Sequence, residues 1–190
     1  YYSTLLKNGG SVSLQEAATR LCRPDNHYTN YQRLLSLWSD VFGVQAITVR
    51  RFDRTFLHRG SIIDDFLQIL QIDTQALSDL STDSKYNESL TPIGQALLRQ
   101  INRLAKNHPQ LVQECNWQQS RAALFKAFAG RGQQLPRALA EQLQQSFDTG
   151  NEAVRQCWFP DQETLFSQTF DDAGEDIISV DQDQALGDLL

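Results

Sequence analysis

The sequence predicts a mainly α fold with one or two short strands, and three observations predict it. Apolar residues recur at three- and four-residue intervals in several segments, as in Tyr31, Leu34, Leu35, Trp38, Val41 and Phe42, the spacing of a helix with one apolar face. Ser, Thr or Pro stands just ahead of several such segments, where helices take their caps. Against this background one β-branched run, Ile47-Thr48-Val49 within AITVRRFDR, favours a strand.

Taken in order, Ser13-Leu14-Gln15-Glu16 fits a capping box and predicts a short helix to about Cys22. Arg23-Pro24-Asp25-Asn26 is turn chemistry. The periodic stretch from Tyr31 then runs to Gly43, which stops it. The strand at 46–51 follows. Beyond the polar link from Asp53 to Gly60, Ser61 caps a helix with Ile62, Ile63, Phe66, Leu67 and Leu70 on one face, and Asp64 and Asp65 sit near the favourable end of its dipole. From Asp73 to Leu90 the chain reads as a loop, closing on NESLTP, where Thr91 as cap and Pro92 at the first helical position start a helix to about Lys106. Asn107-His108-Pro109 breaks it. Further helices are predicted over 110–129, stopped by Gly130-Arg131-Gly132; over 136–148, opened by Pro136; and over 151–158, stopped at Pro160. Residues 1–166 read as one partial domain, and 167–190 as an acidic, flexible tail with Ile177, Ile178 and Val180 its main apolar residues.

Composition narrows the function classes. The chain has 190 residues, 41% of them hydrophobic, and a net charge of −6. That is enough apolar material for a core. With no dense Lys/Arg cluster, there is no electrostatic footprint for nucleic acid or an anionic membrane. No run approaches the roughly 18 apolar residues that cross a bilayer. Cys22, Cys115 and Cys157 are odd in number and widely spaced, which suits a reducing, cytoplasmic setting rather than a disulfide framework. His27, His58 and His108 show no ligand spacing, so no metal site is expected. The chain holds no methionine and opens Tyr1-Tyr2. We expect that start to be a processing site, an expression boundary or a cut within a longer polypeptide.

A strand needs a partner. The order helix, strand, helix over 28–70 is the rhythm of an α/β sheet, whose parallel strands are covered by helices on both faces. The only other candidate strand in the chain is Asp176–Val180. The expectation is therefore that the neighbours of 46–51 lie outside these residues, or that the strand frays.

Four segments carry a resemblance: YYSTLLKNGGSVSLQEAATRL, YQRLLSLWSDVFGVQAITVRRFDRTFLHRGSIIDDFLQILQI, NESLTPIGQALLRQIN and GNEAVRQCWFP. In this order the chain, from residue 1 to about 166, resembles the C-terminal half of bacterial sulfotransferase-like proteins. The resemblance implies the C-terminal portion of an α/β, P-loop-type fold. It also implies a parent enzyme that moves a sulfuryl group from 3′-phosphoadenosine 5′-phosphosulfate (PAPS) to a carbohydrate or other hydroxylated acceptor. The family holds that donor with a Gly-rich strand–loop–helix and with an Arg followed by a Ser ahead of paired aromatics. Neither is present here, and Tyr1-Tyr2 resemble those aromatics. The expectation is that both donor signatures precede residue 1, that the chain itself holds no cofactor, and that it is inactive alone.

No catalytic residue is assigned. Lys7, beside Gly9-Gly10, is a ligand-side candidate through the resemblance, and otherwise a solvated lysine at a turn. Arg50, Arg51 and Arg54 bracket the C-terminal end of the strand, where α/β folds place ligands, and guanidinium groups suit phosphate or sulfate; otherwise they are surface arginines. Asp53 is read first as a loop cap. His58 could act as an acid or base near neutral pH, but reads more simply as an exposed loop residue. The alternative function is a non-catalytic helical module that binds a partner protein through an exposed sheet edge or apolar face.

Overall fold

The computed structural model describes residues 1–72, 89–110, 117–166 and 170. Among them lie eight α-helices: α1 Tyr2–Lys7, α2 Leu14–Leu21, α3 Tyr31–Phe42, α4 Ile62–Ile69, α5 Pro92–Asn107, α6 Trp117–Ala127, α7 Arg137–Gln145 and α8 Asp148–Trp158. The chain divides into two compact units, one of Tyr1–Leu34 with Asn87–Leu190 and one of Leu35–Tyr86. The division falls within α3.

In the first unit, helix starts follow local chemistry. Ser13 Oγ accepts from the Glu16 N–H at 3.1 Å and starts α2. The other half of the capping box is not made, because Glu16 pairs with Arg20 one turn on, the i,i+4 geometry that helices favour. Asn30 Oδ1 accepts from the Arg33 N–H at 3.0 Å and caps α3. Thr91 Oγ1 accepts from Gly94 N–H and Pro92 occupies the first turn of α5. Gly94 has no room for a side chain, since a Cβ there would stand 2.5 Å from Cβ of Phe128.

The core of this unit joins elements far apart in sequence. Tyr2 and Leu6 of α1, Ala17 of α2, Leu90 just ahead of α5 and Leu98 within it form its buried centre, with Leu124 and Phe125 of α6 packed against it. Leu6, Leu90 and Leu98 are completely buried. Removing such a side chain from water contributes about 1.5–3 kcal/mol. The sequence reading did not foresee α1, and placed the start of the last helix at 151 instead of Asp148. The predicted 110–129 helix is described over Trp117–Ala127.

The second unit contains the C-terminal part of α3, 3-10 turns at Val44–Ala46 and His58–Gly60, and α4. Gly43 ends α3 with φ of 80°, a conformation that glycine adopts without strain. Ser61 Oγ accepts from the Asp64 N–H at 3.3 Å and caps α4. At 46–51 no strand is formed among the described residues. Val44–Ala46 is a 3-10 turn, and residues 47–52 belong to no regular element. Ile47 is extended, with φ of −110° and ψ of 129°. What is missing is a neighbour: among the described residues the only β-bridge joins Leu90 to Ala129. The rival strand at 176–180, the loop from 73 and the tail from 167 lie outside the described residues, apart from Leu90 with Ser89 and Phe170. Among the described residues, the mainly helical character is what stands.

Candidate functional site

The four candidate ligand-side cations fall in different units: Lys7 in the first, and Arg50, Arg51 and Arg54 in the second. Around the arginines the residues 50–65 form a closed local arrangement. Arg50 grips Asp65 in bidentate fashion, Nε at 3.0 Å from Oδ2 and Nη2 on Oδ1. His58 donates its backbone N–H to Asp65 Oδ1 at 2.8 Å, and Arg50 Nη2 reaches the Phe56 carbonyl at 3.3 Å. Asp65 is buried, at 3% exposure. Its carboxyl is held below the usual range, first by the Arg50 hydrogen bond and then by the His58 N–H, against the opposing effect of desolvation. A buried carboxylate is tolerated where it is paired and hydrogen-bonded in this way.

Arg51 lies over the Phe56 ring, its guanidinium carbon 3.8 Å from the centroid, a cation–π contact. Asp53 accepts from the Thr55 N–H at 2.9 Å and the Thr55 hydroxyl at 2.7 Å. Those bonds lower its pKa and make it the loop cap that the sequence suggested. Arg54 is exposed. The three arginines thus share a neighbourhood, with Arg50 committed to Asp65 and Arg51 to an aromatic face.

In the first unit, Lys7 ends α1 and its Nζ lies 5.3 Å from the centroid of Phe125 on α6. Arg121 occupies the same ring, with its guanidinium carbon at 5.6 Å. Nearby is a polar hub that sequence reasoning missed. Ser3 Oγ accepts from the Leu90 N–H at 3.1 Å and from Gln95 Nε2 at 3.0 Å, and lies 2.6 Å from Ser89 Oγ. Both of its lone pairs being used, its proton is directed to Ser89. This hydroxyl is a structural joint, not a nucleophile. Gln95 Oε1 in turn accepts from the Gln133 N–H at 3.0 Å, and Asn102 Nδ2 donates to the carbonyls of Leu6 and Gly10 at 2.8 and 2.7 Å. The signal was readable in α5: Gln95, Leu98, Arg99 and Asn102 repeat at three- and four-residue spacing, so polar groups share the face of the core leucine.

A cavity of about 220 Å³ lies elsewhere in this unit, lined by Gln144, Asp148, Asn151, Glu163 and Phe166 among others. Glu152 on its wall bonds Arg155 and Gln156, and these bonds hold its pKa at about 2. No predicted site residue lines it. Among the described residues no cluster of His, Cys, Asp and Glu could hold a metal ion, and no helix is long and apolar enough to cross a membrane. Cys22 and Cys157 are free thiols. No protein-family model matches the chain, and neither the curated proteins nor the solved structures contain a match.

Proposed function

We propose that the chain is the C-terminal, largely helical part of a sulfotransferase-like protein, whose complete polypeptide transfers a sulfuryl group from PAPS to a carbohydrate or another hydroxylated acceptor. The observation that supports this reading is the character of residues 35–72. Two amphipathic helices flank residues 47–52, which pair with no strand among the described residues, and Leu37, Val41, Phe42, Phe52, Ile62, Phe66 and Leu70 are all at least half exposed. Helices that cover a parallel sheet carry such faces, and the sheet supplies their burial. In the parent reaction the acceptor hydroxyl attacks sulfur in line, the bond from sulfur to the phosphate oxygen breaks, 3′-phosphoadenosine 5′-phosphate leaves, and a base takes the hydroxyl proton. Positioning and positive charge lower the barrier.

The second reading, a helical module that binds a partner protein, draws on the same exposed residues, since apolar patches of this kind mark interfaces. Calorimetric titration with 3′-phosphoadenosine 5′-phosphate separates the two. The 190-residue chain is expected to show no specific binding. The same chain extended by its upstream coding sequence is expected to bind at micromolar affinity and to protect the amides of 46–51 from exchange. An extended chain that binds no nucleotide and leaves 46–51 unprotected would sink the sulfotransferase reading and favour the module.

A further inference from the structure

After α8 the chain turns back and is held there. Arg155, whose side chain is 17% exposed, donates from Nη1 to the Gln162 carbonyl at 2.7 Å, while Glu152 accepts from its Nε and Nη2 with one carboxylate oxygen each, both at 2.8 Å. Leu165 is buried, and the Phe166 ring stands against Tyr31 with centroids 5.8 Å apart. The stretch 162–166 is thus fixed at one end by charge-assisted bonds and at the other by ring packing. With the corner between α7 and α8 it bounds the cavity of about 220 Å³.

One space collects side chains from three elements: Gln144 from the last turn of α7, Asp148 and Asn151 from the start of α8, and Glu163, Thr164 and Phe166 from the returning stretch. Among the described residues, none of these polar side chains is committed to a hydrogen bond or ion pair elsewhere. Glu152 differs, since Arg155 and Gln156 occupy its carboxylate; it braces the wall. No lysine or arginine lines the cavity, so an anionic ligand would meet only like charge. What faces the space is a pair of carboxylates that accept, a pair of amides that donate and accept, and a hydroxyl that does both, beside an aromatic ring. Sugar hydroxyls, each a donor and an acceptor, match that set, and the C–H face of a pyranose packs on an aromatic ring. At roughly 30 Å³ per water, a volume of about 220 Å³ equals about seven waters, room for one sugar ring.

We propose that the cavity between the α7–α8 corner and residues 163–166 binds a neutral monosaccharide unit, with Asp148, Asn151 and Glu163 on its hydroxyls and Phe166 against its C–H face. The binding stands on the cavity. Only its role, holding a carbohydrate acceptor, rests on the sulfotransferase reading above.

The test is an NMR titration of the full 190-residue chain with glucose, galactose, mannose and N-acetylglucosamine, and with glucosamine as a charged counterpart. At least one neutral sugar is expected to bind saturably in the millimolar range, as befits a ligand of so few atoms, to move the amides of 148–152 and 163–166, and to respond little to salt. The 6-phosphate of that sugar should bind several-fold more weakly. Glu163→Gln and Asn151→Ala should each weaken binding about tenfold, the loss of a hydrogen bond to a ligand, and Phe166→Leu about threefold or more. Arg23→Gln, at a surface residue paired with Asp25, should leave it unchanged. Should Phe166→Leu disturb the packing on Tyr31, Glu163→Gln decides, since Glu163 lies in no helix. The proposal is overturned if none of the four neutral sugars binds, if the shifts fall elsewhere, or if Glu163→Gln weakens binding no more than Arg23→Gln. Binding of glucosamine alone, abolished by salt, overturns it too, because the cavity would then select a cation. As no nucleotide is used, failure here is distinct from failure of the nucleotide titration with the extended chain.

Discussion

The two units use the same apolar residue types at the same helical spacing and reach opposite ends of the burial scale. In the first, Leu6, Leu90 and Leu98 are sealed from water and a polar hub on Ser3, Gln95 and Asn102 ties α1 to α5. In the second, the only buried residue among those described is an aspartate, while Trp38, Phe42, Phe52 and Phe66 stand in contact with solvent. An apolar stripe therefore specifies a helix but not what the helix packs against. The first unit holds itself together by hydrophobic burial, whereas residues 50–65 of the second are organised by a single charged cluster.

The sharpest way to break this contrast is to truncate one side chain in each unit. Leu98→Ala is expected to cost about 2–5 kcal/mol, the range for buried leucine, read from urea unfolding monitored by exchange of the α5 amides. Phe66→Ala removes a larger side chain but one that is 59% exposed, and should change stability by no more than about 0.5 kcal/mol. If Phe66→Ala proves as damaging as Leu98→Ala, the apolar face of α4 is covered in solution and the comparison fails.

Next in expected size is the charged cluster. Asp65 ionises more readily in the folded chain than its ordinary value of 3.8. Its contribution is therefore fully present above that pH and is lost as pH falls through the lowered folded value. In the first unit Glu152 follows the same sign, present above 4.5 and lost toward about 2. Amide exchange between pH 7 and pH 2 should show the His58 N–H, which binds Asp65, losing protection only at the acid end. Arg50→Gln removes the largest cause of the Asp65 shift, so loss should begin at higher pH in that variant while the α5 amides keep their wild-type profile. A profile for His58 that Arg50→Gln does not move would show that the cluster does not organise 50–65.

Much of this was legible in the sequence where the information is local. Ser13, Ser61, Thr91 and Gly43 mark helix ends through bonds within a few residues, so the helices they bound were read almost to the residue. α1 was not, because its six residues lack a side-chain cap and its order comes from Asn102, some 96 positions away. The 46–51 run forms no strand for a related reason: β propensity reports how well a residue fits beside a neighbouring strand, and among the described residues no neighbour stands beside it. Asp65 was read as a helix-dipole acid, because its burial comes from Arg50 and the His58 N–H converging on it, a meeting in space that helical spacing does not show.

The smallest predicted effect tests whether the units differ in cooperativity as well as in burial. Ser13 and Ser61 make the same bond, each accepting from the N–H three residues on, at 3.1 and 3.3 Å. Replacing either by Ala removes an N-cap that is typically worth about 1 kcal/mol. α2 contributes Ala17 to the core, so Ser13→Ala should lower the global transition of the first unit by about that amount. α4 has no buried apolar residue, so Ser61→Ala should fray its first turn, speeding exchange there, and leave the first unit's transition in place. Equal effects of the two substitutions on that transition would mean that the units unfold as one body, coupled more tightly than their separate cores imply.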